Sequence, residues 1–260
     1  MSDILEELTA LRREDAAIRE KATPFDELMR LAAAMPPTLD FASAFRGQGS
    51  GVIAELKKAS PSEGLIREDF RPIELAKELE AAGASALSVL CEPHRFLGGE
   101  EYLKTVRKAV SLPLLYKDFI STPYQIAAAR VAGADAVLLI AAVLNDAELS
   151  DLLAFAHSLG LAALVETHDE NEIDRAVKSG ARLIGVNCRN LRNFSCDTTL
   201  IETLVGRIPR PCLRIAESGM HTRDAICRAK AAGADGFLVG TALMRSASPG
   251  EKLIEMTTQG

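Results

Sequence analysis

The sequence predicts a closed barrel of eight βα units, a (β/α)8 TIM barrel with an N-terminal helical extension, and three observations carry that prediction. A junction in which Gly-Ala precedes an apolar run occurs four times, in AAGASALSVL, VAGADAVLLI, KSGARLIGVN and AAGADGFLVG. The glycines of these junctions, Gly83, Gly133, Gly180 and Gly233, lie about 50 residues apart, twice the length of one βα unit. Midway between them stand four other β-rich runs, at 52–56, 112–116, 161–165 and 212–216, which bring the strand count to eight and the period to about 25 residues.

In chain order, the first 48 residues precede any strand and form the expected extension of a single barrel domain spanning 1–260. Within them Ile4, Leu5, Leu8, Leu11 and Ile18 suggest an amphipathic helix, either closing the bottom of the barrel or lying over its mouth as a lid. The run at 52–56 is the first strand. Between the later strands, Ile73, Ala76 and Leu79, then Leu103, Val106 and Val110, then Leu149, Leu152, Leu153, Ala156 and Leu159 keep helical spacing. Gly83 and Gly160 stand where the first and last of these helices should stop. A doubly wound open sheet shares this rhythm, but no GxGxxG follows the first strand, and polar residues end nearly every strand instead of marking one switch point.

Composition narrows the function. With 48% apolar and 25% charged residues the chain is an ordinary globular one, large enough to need neither disulfide nor structural metal. Its five cysteines, Cys91, Cys188, Cys196, Cys212 and Cys227, show no CxxC pair and no zinc-ligand spacing, so they are read as reduced thiols with no metal site. The N-terminus lacks the apolar core of a signal peptide and no run reaches transmembrane length, so a cytoplasmic protein is expected. A net charge of −6 argues against nucleic acid or an anionic membrane as partner. The four histidines (His94, His157, His168, His221) are scattered and receive no role, and a monomer or weak homodimer is the expected assembly.

The chemistry lies at the strand ends. In VIAELKKASPSEG, strand alternation sends Ile53, Glu55 and Lys57 inward and leaves Val52, Ala54 and Leu56 to pack against helices. A carboxylate and an ammonium pointing together into a barrel mouth are costly to bury, which favours a functional pair over a structural one. Further strands end in PLLYKDF, LVETHDE, GVNCRNL and RIAESGM, so Lys117, Glu166, Asn187 and Glu217 stand at comparable heights around the same rim. Acids, bases and an amide converging from five strands suit acid–base catalysis. After the last two strands, AESGM and VGTALM offer Gly219, Gly240 and Thr241, small residues that let backbone N–H groups approach a phosphate where barrels commonly bind one. Ser60, in the Ser-Pro-Ser turn after the first strand, can contribute from the adjacent loop, although glycines there equally serve tight turns.

These residues resemble the indole-3-glycerol phosphate synthase family of tryptophan biosynthesis. The likeness runs collinearly from DFASAF at 40–45 through VIAELKKASPSEG, LSVLCEPHRFLGG, YKDFI, PYQI, VETHDENE, IGVNCRNL and AESG to GFLVGTALMR, and the N-terminal extension looks like that family's extra helices. The resemblance implies cofactor-free ring closure of 1-(2-carboxyphenylamino)-1-deoxyribulose 5-phosphate, with loss of carbon dioxide and water. It implies that Lys117 is the general acid at the substrate ketone and that Glu166, Lys57 and Glu55 divide the acid and base work of dehydration, in an order the residues leave open. Phe96, Phe119 and Leu191 become the apolar wall, Asn187, Glu217 and Ser218 hydrogen-bonding positions, and Arg189, Ser60, Gly219, Gly240 and Thr241 anion-binding ones. Cys188 stands where that family usually has Ser or Asn, and Gly99 where Ser is frequent. Rival readings of the same rim are a Schiff-base aldolase using Lys117 or Lys57, a sugar-phosphate isomerase, and a non-catalytic barrel that binds a sugar phosphate.

Overall fold

The computed structural model describes residues 4–47, 49–189 and 195–258. The strands are β1 (Val52–Leu56), β2 (Ala59–Ser60), β3 (Gly64–Leu65), β4 (Ala86–Leu90), β5 (Leu114–Lys117), β6 (Ala136–Ile140), β7 (Ala162–Thr167), β8 (Leu183–Asn187), β9 (Leu213–Glu217) and β10 (Gly236–Val239). Eight of them close a parallel barrel in the order β1-β10-β9-β8-β7-β6-β5-β4, while β2 and β3 form a small antiparallel hairpin in the loop after β1. An open doubly wound sheet is thereby excluded. Closure also leaves the barrel no free edge.

The period-two pattern read from the first strand holds in space. Val52, Ala54 and Leu56 join the outer core beneath the helices, whereas Ile53 joins Leu115, Leu138, Leu164, Ile215 and Leu238 in the barrel interior. The outer layer comprises α3 (Pro72–Ala81), α4 (Glu100–Arg107), α5 (Pro123–Ala132), α6 (Asp146–Ser158), α7 (Glu170–Lys178), α8 (Thr199–Leu204), α9 (Arg223–Ala231), α10 (Thr241–Arg245) and α11 (Pro249–Thr257). Gly83, Gly133, Gly180 and Gly233 all have positive φ, so the repeated Gly-Ala is the left-handed turn that releases a helix into the next strand.

The N-terminal segment covers both ends of the barrel. Helix α1 (Ile4–Ala22) lies over the carboxyl ends of the strands, where Ile4, Leu5 and Leu8 face the same cleft as Lys117 and Glu166. Its buried seam is Leu5, Leu8, Thr9, Arg12 and Ala16, and Ile18 is 65% exposed, contrary to the pattern read from the sequence. Two residues beyond Ala16, Ile18 is rotated by about half a turn away from that seam. Helix α2 (Phe25–Ala33) packs on α5, with Leu28 beside Tyr124 and Ala128. The 3-10 turn Phe41–Phe45 then plugs the opposite end, where Phe41 and Phe45 meet Ile53 and Ile215, and a Cβ on Gly236, at the start of β10, would lie 2.7 Å from Phe45. The lid and the plug are thus both present, supplied by different parts of the extension.

Candidate active site

The carboxyl ends of the strands surround a cleft of about 1040 Å³, counting space open to solvent. Glu55, Lys57, Ser60, Phe96, Lys117, Phe119, Glu166, Asn187, Arg189, Glu217, Ser218, Gly219, Gly240 and Thr241 all line it. Leu191 lies outside the described residues.

Lys117 occupies the centre of the polar floor. Its Nζ donates to Glu217 Oε2 at 2.8 Å and to Glu166 Oε2 at 3.1 Å, bringing together the ends of β5, β7 and β9. Burial alone would lower the Lys117 pKa, but Glu217, Glu166 and the more distant Glu55 outweigh it and hold the ammonium well above its ordinary value. The two carboxylates diverge. Burial pushes Glu217 up to about 7, with Lys117 opposing and the negative Glu166 adding to the rise. Glu166 experiences the same burial, but Lys117 and then His168 reverse its effect and bring it down to about 2. Such a split gives one ionised base and one carboxyl able to hold a proton near neutrality. Glu166 Oε1 and Glu217 Oε1 are buried without a hydrogen-bond partner among the described residues. Beside this triad, Lys57 Nζ and Glu55 Oε2 form an ion pair of 2.7 Å.

The protonation of Glu217 has a measurable consequence for stability. Its folded-state pKa lies above the ordinary 4.5, so the folded protein keeps a proton that the unfolded chain releases. The associated stability is complete below pH 4.5 and is lost as the pH rises through about 7. Urea unfolding at pH 5 and 8 should show wild type losing on the order of 3 kcal/mol more than Glu217→Gln across that interval. Parallel pH slopes for the two proteins would place the Glu217 proton elsewhere.

Several supporting residues carry no signal in the linear sequence. His168 Nε2 is 3.5 Å from Glu166 Oε1 and its Nδ1 is 3.1 Å from Glu172 Oε2. Burial would lower the His168 pKa, but Glu172 and Glu166 raise it, so a cation is favoured behind the carboxylate. Gly185 of β8 faces Glu217, and a Cβ there would collide with Glu217 Oε1. Only the bare backbone leaves that carboxylate room. Glu92 accepts from the backbone N–H groups of His94, Arg95 and Phe96 at 2.6–2.8 Å, shaping the loop that brings Phe96 to within 6.0 Å of Phe119, centroid to centroid. Arg12 of α1 grips Asp118, the neighbour of Lys117, with Nε at 2.9 Å and Nη2 at 2.7 Å. Breaking such a buried pair is strongly destabilising, which holds α1 over the cleft. Nothing in the sequence pairs them, since the partners are 106 residues apart.

On the opposite side of the cleft, Ser218 and Gly219 adopt left-handed φ of 65° and 69°. For serine this is a strained conformation of the kind that functional sites hold in place. Thr241 heads α10, and Arg189 N donates to Asn187 Oδ1 at 3.0 Å. Gly240, which also lines the cleft, stands beside the Glu55–Lys57 pair. A Cβ would first collide with Glu55 Oε2 and lie 3.1 Å from Lys57 Nζ, so Gly240 keeps clear the space beside the Glu55–Lys57 pair. A Gly240→Val change therefore cannot isolate anion binding.

The chain is similar to known proteins along nearly its whole length. Residues 5–256 match the family model described as indole-3-glycerol phosphate synthase. The indole-3-glycerol phosphate synthase of Acidithiobacillus ferrooxidans (strain ATCC 53993 / BNL-5-31) is 47% identical over 257 residues, covering 97% of this chain and 98% of that one. Those of Albidiferax ferrireducens and Burkholderia cenocepacia (strain HI2424) are 46% and 44% identical, covering 98% of this chain and 98% and 99% of theirs. Among solved structures, thiamine phosphate pyrophosphorylase from Pyrococcus furiosus aligns with a TM-score of 0.59 at 16% identity, over 79% of this chain and 92% of that one. The N-acetylmannosamine-6-phosphate 2-epimerase from Clostridium perfringens gives 0.61 at 17%, over 76% and 89%. At such identities these two structures show the barrel alone. Among the described residues no helix is long and apolar enough to cross a membrane.

Proposed function

Since the chain belongs to the indole-3-glycerol phosphate synthase family, we propose that this cleft closes the indole ring of 1-(2-carboxyphenylamino)-1-deoxyribulose 5-phosphate through the residues that surround Lys117. The enzyme is a decarboxylating lyase acting on a phosphorylated small molecule. The observation that carries the assignment of roles is the Lys117 ammonium held between Glu166 and Glu217 on the floor of a mostly apolar cleft.

The substrate aligns with the polarity of the cleft. Its anilino ring packs against Phe96 and Phe119 beneath Leu5 and Leu8, and its phosphate lies toward Ser60, Arg189, Gly219, Gly240 and Thr241. Lys117 donates a proton to the ketone, making that carbon electrophilic, and the ring carbon bearing the carboxylate attacks it. Loss of carbon dioxide returns the bonding electrons to the ring, and an apolar wall favours that uncharged product. Dehydration then needs an acid at the departing hydroxyl and a base at the neighbouring proton. The ionised Glu166 suits the base, and Lys57, paired with Glu55, suits the acid. Glu217 and Asn187 orient the ammonium and the carboxylate, and Ser218 contributes a hydrogen bond to substrate. His168 holds Glu166 in place and is a positioning residue.

A Schiff-base aldolase or sugar-phosphate isomerase is the alternative. Schiff-base chemistry requires a free amine, whereas Glu217 and Glu166 keep Lys117 protonated against the effect of burial. A fluorescence assay for indole formation from the carboxyphenylamino substrate decides: turnover without cofactor supports ring closure, and trapping of Lys117 by borohydride instead would establish the aldolase. We further propose a single barrel domain working as a cytoplasmic monomer or weak homodimer without nucleic-acid partners.

The phosphate end has its own test. Thr241→Ala removes one hydroxyl contact, so KM for the substrate and the inhibition constant of inorganic phosphate should each rise about tenfold, equivalent to roughly 1–2 kcal/mol for a hydrogen bond to a charged group. Thermal stability without ligand should barely move. Equal phosphate inhibition of the two proteins would mean that the anion binds away from Thr241.

A further inference from the structure

Two of the five cysteines are neighbours in space. Cys188 follows Asn187 at the end of β8 and is buried, whereas Cys196 is exposed, and their Sγ atoms are 2.7 Å apart. The backbone around them has the form of a narrow antiparallel ladder: Arg189 bridges Cys196, and the N–H of Asp197 donates to the carbonyl of Cys188 at 3.1 Å. Both sulfurs lie under the turn that contributes Gly219 to the cleft, since a Cβ on Gly219 would come within 3.1 Å of Cys188 Sγ and 3.2 Å of Cys196 Sγ. Ring closure uses neither thiol. A disulfide requires sulfurs about 2.05 Å apart, so a sub-ångström approach completes the bond.

We propose that Cys188 and Cys196 form a redox modification site, converted reversibly by low-molecular-weight disulfides into an intramolecular disulfide that fixes Arg189 beneath the anion-binding side of the cleft. The reaction balances as two exchanges. The thiolate of exposed Cys196 attacks a small disulfide, forming a mixed disulfide and releasing one small thiol. Cys188 then loses its proton and attacks the Cys196 sulfur, expelling the second small thiol. The protein gives up two electrons and two protons, and the small disulfide becomes two thiols. The order of events follows from exposure: burial and the adjacent Cys196 thiol raise the pKa of Cys188, so it resolves the mixed disulfide and does not begin the exchange. In a reducing compartment the pair rests as thiols and closes under oxidative load. Cross-linking locks the existing bridge between Arg189 and Cys196 before an anion arrives, which lowers the cost of binding it.

The experiment uses the full chain with Cys227→Ser, which removes an exposed thiol elsewhere, titrated with oxidised against reduced glutathione. The expected product loses about 2 Da, yields a Cys188–Cys196 linked peptide and returns to the dithiol with dithiothreitol. Adding Cys188→Ser should arrest the reaction as a glutathione adduct on Cys196, and adding Cys196→Ser should prevent both products. Inorganic phosphate should inhibit the cross-linked enzyme at least threefold more tightly than the reduced enzyme, with no oxidant effect in the Cys188→Ser/Cys196→Ser double variant. A stable glutathione adduct on Cys196 while Cys188 is intact would overturn the proposal, as would unchanged phosphate inhibition after complete cross-linking.

Discussion

Lys117→Met is expected to lower kcat for ring closure by about 10³-fold or more while the folded protein still binds substrate. Methionine preserves most of the side-chain volume, so the apolar wall and the anion side are left in place. What it removes is the proton donor at the ketone and, with it, the cation shared by Glu166 and Glu217. Two buried carboxylates without that cation cannot both remain ionised at modest cost. Glu217, already up at about 7 with Lys117 opposing the rise, should hold its proton to still higher pH in the variant. The expected signature is thus twofold: near-complete loss of turnover, and stability that falls more steeply than in wild type as the pH rises above 7. Single-turnover fluorescence, substrate binding by calorimetry and urea unfolding across pH check it. Turnover within tenfold of wild type would remove Lys117 from the acid role.

Glu166→Gln comes second in size, with kcat expected to fall by about 10²-fold or more. Glutamine keeps the shape and can still accept from Lys117, so binding should be nearly preserved, but the side chain has no ionised form and cannot take the proton that dehydration releases. The substitution also deletes the negative charge that helps to raise Glu217, so the Glu217 pKa should move down from about 7 toward its ordinary value. A pH profile of residual kcat and of stability reads both effects. A variant with normal kcat and an increased KM would identify Glu166 as a binding residue.

The legibility of these groups in the sequence was uneven. Glu55, Lys117, Glu166, Asn187 and Glu217 could be read as rim residues because each ends or nearly ends a strand, and parallel strands in a barrel all finish on one face. His168 could not, because a histidine one residue past β7 acquires meaning only from its distance to Glu166 and Glu172. Gly185, and the packing of Gly240 against Glu55, were equally opaque. A glycine in a sequence is compatible with any tight turn, and only the position of the Glu217 or Glu55 carboxylate shows that the space is already occupied. Ile18 misled for a related reason: it is apolar and falls within the α1 helix, but lies off the buried seam.

By itself, then, the sequence determined the eight-fold βα alternation, the inward face of β1 and the set of residues at the strand ends, because side-chain direction along a strand and helix release at glycine are local properties of the backbone. The tertiary structure alone decided that α1 covers the mouth while Phe41 and Phe45 plug the far end, since an amphipathic face specifies that a surface is buried but not against what. It alone decided that one ammonium serves two carboxylates, that their affinities for a proton separate, and that Cys188 meets Cys196. Those outcomes depend on burial and on charge separations of a few ångströms between residues distant along the chain, quantities that no local pattern encodes.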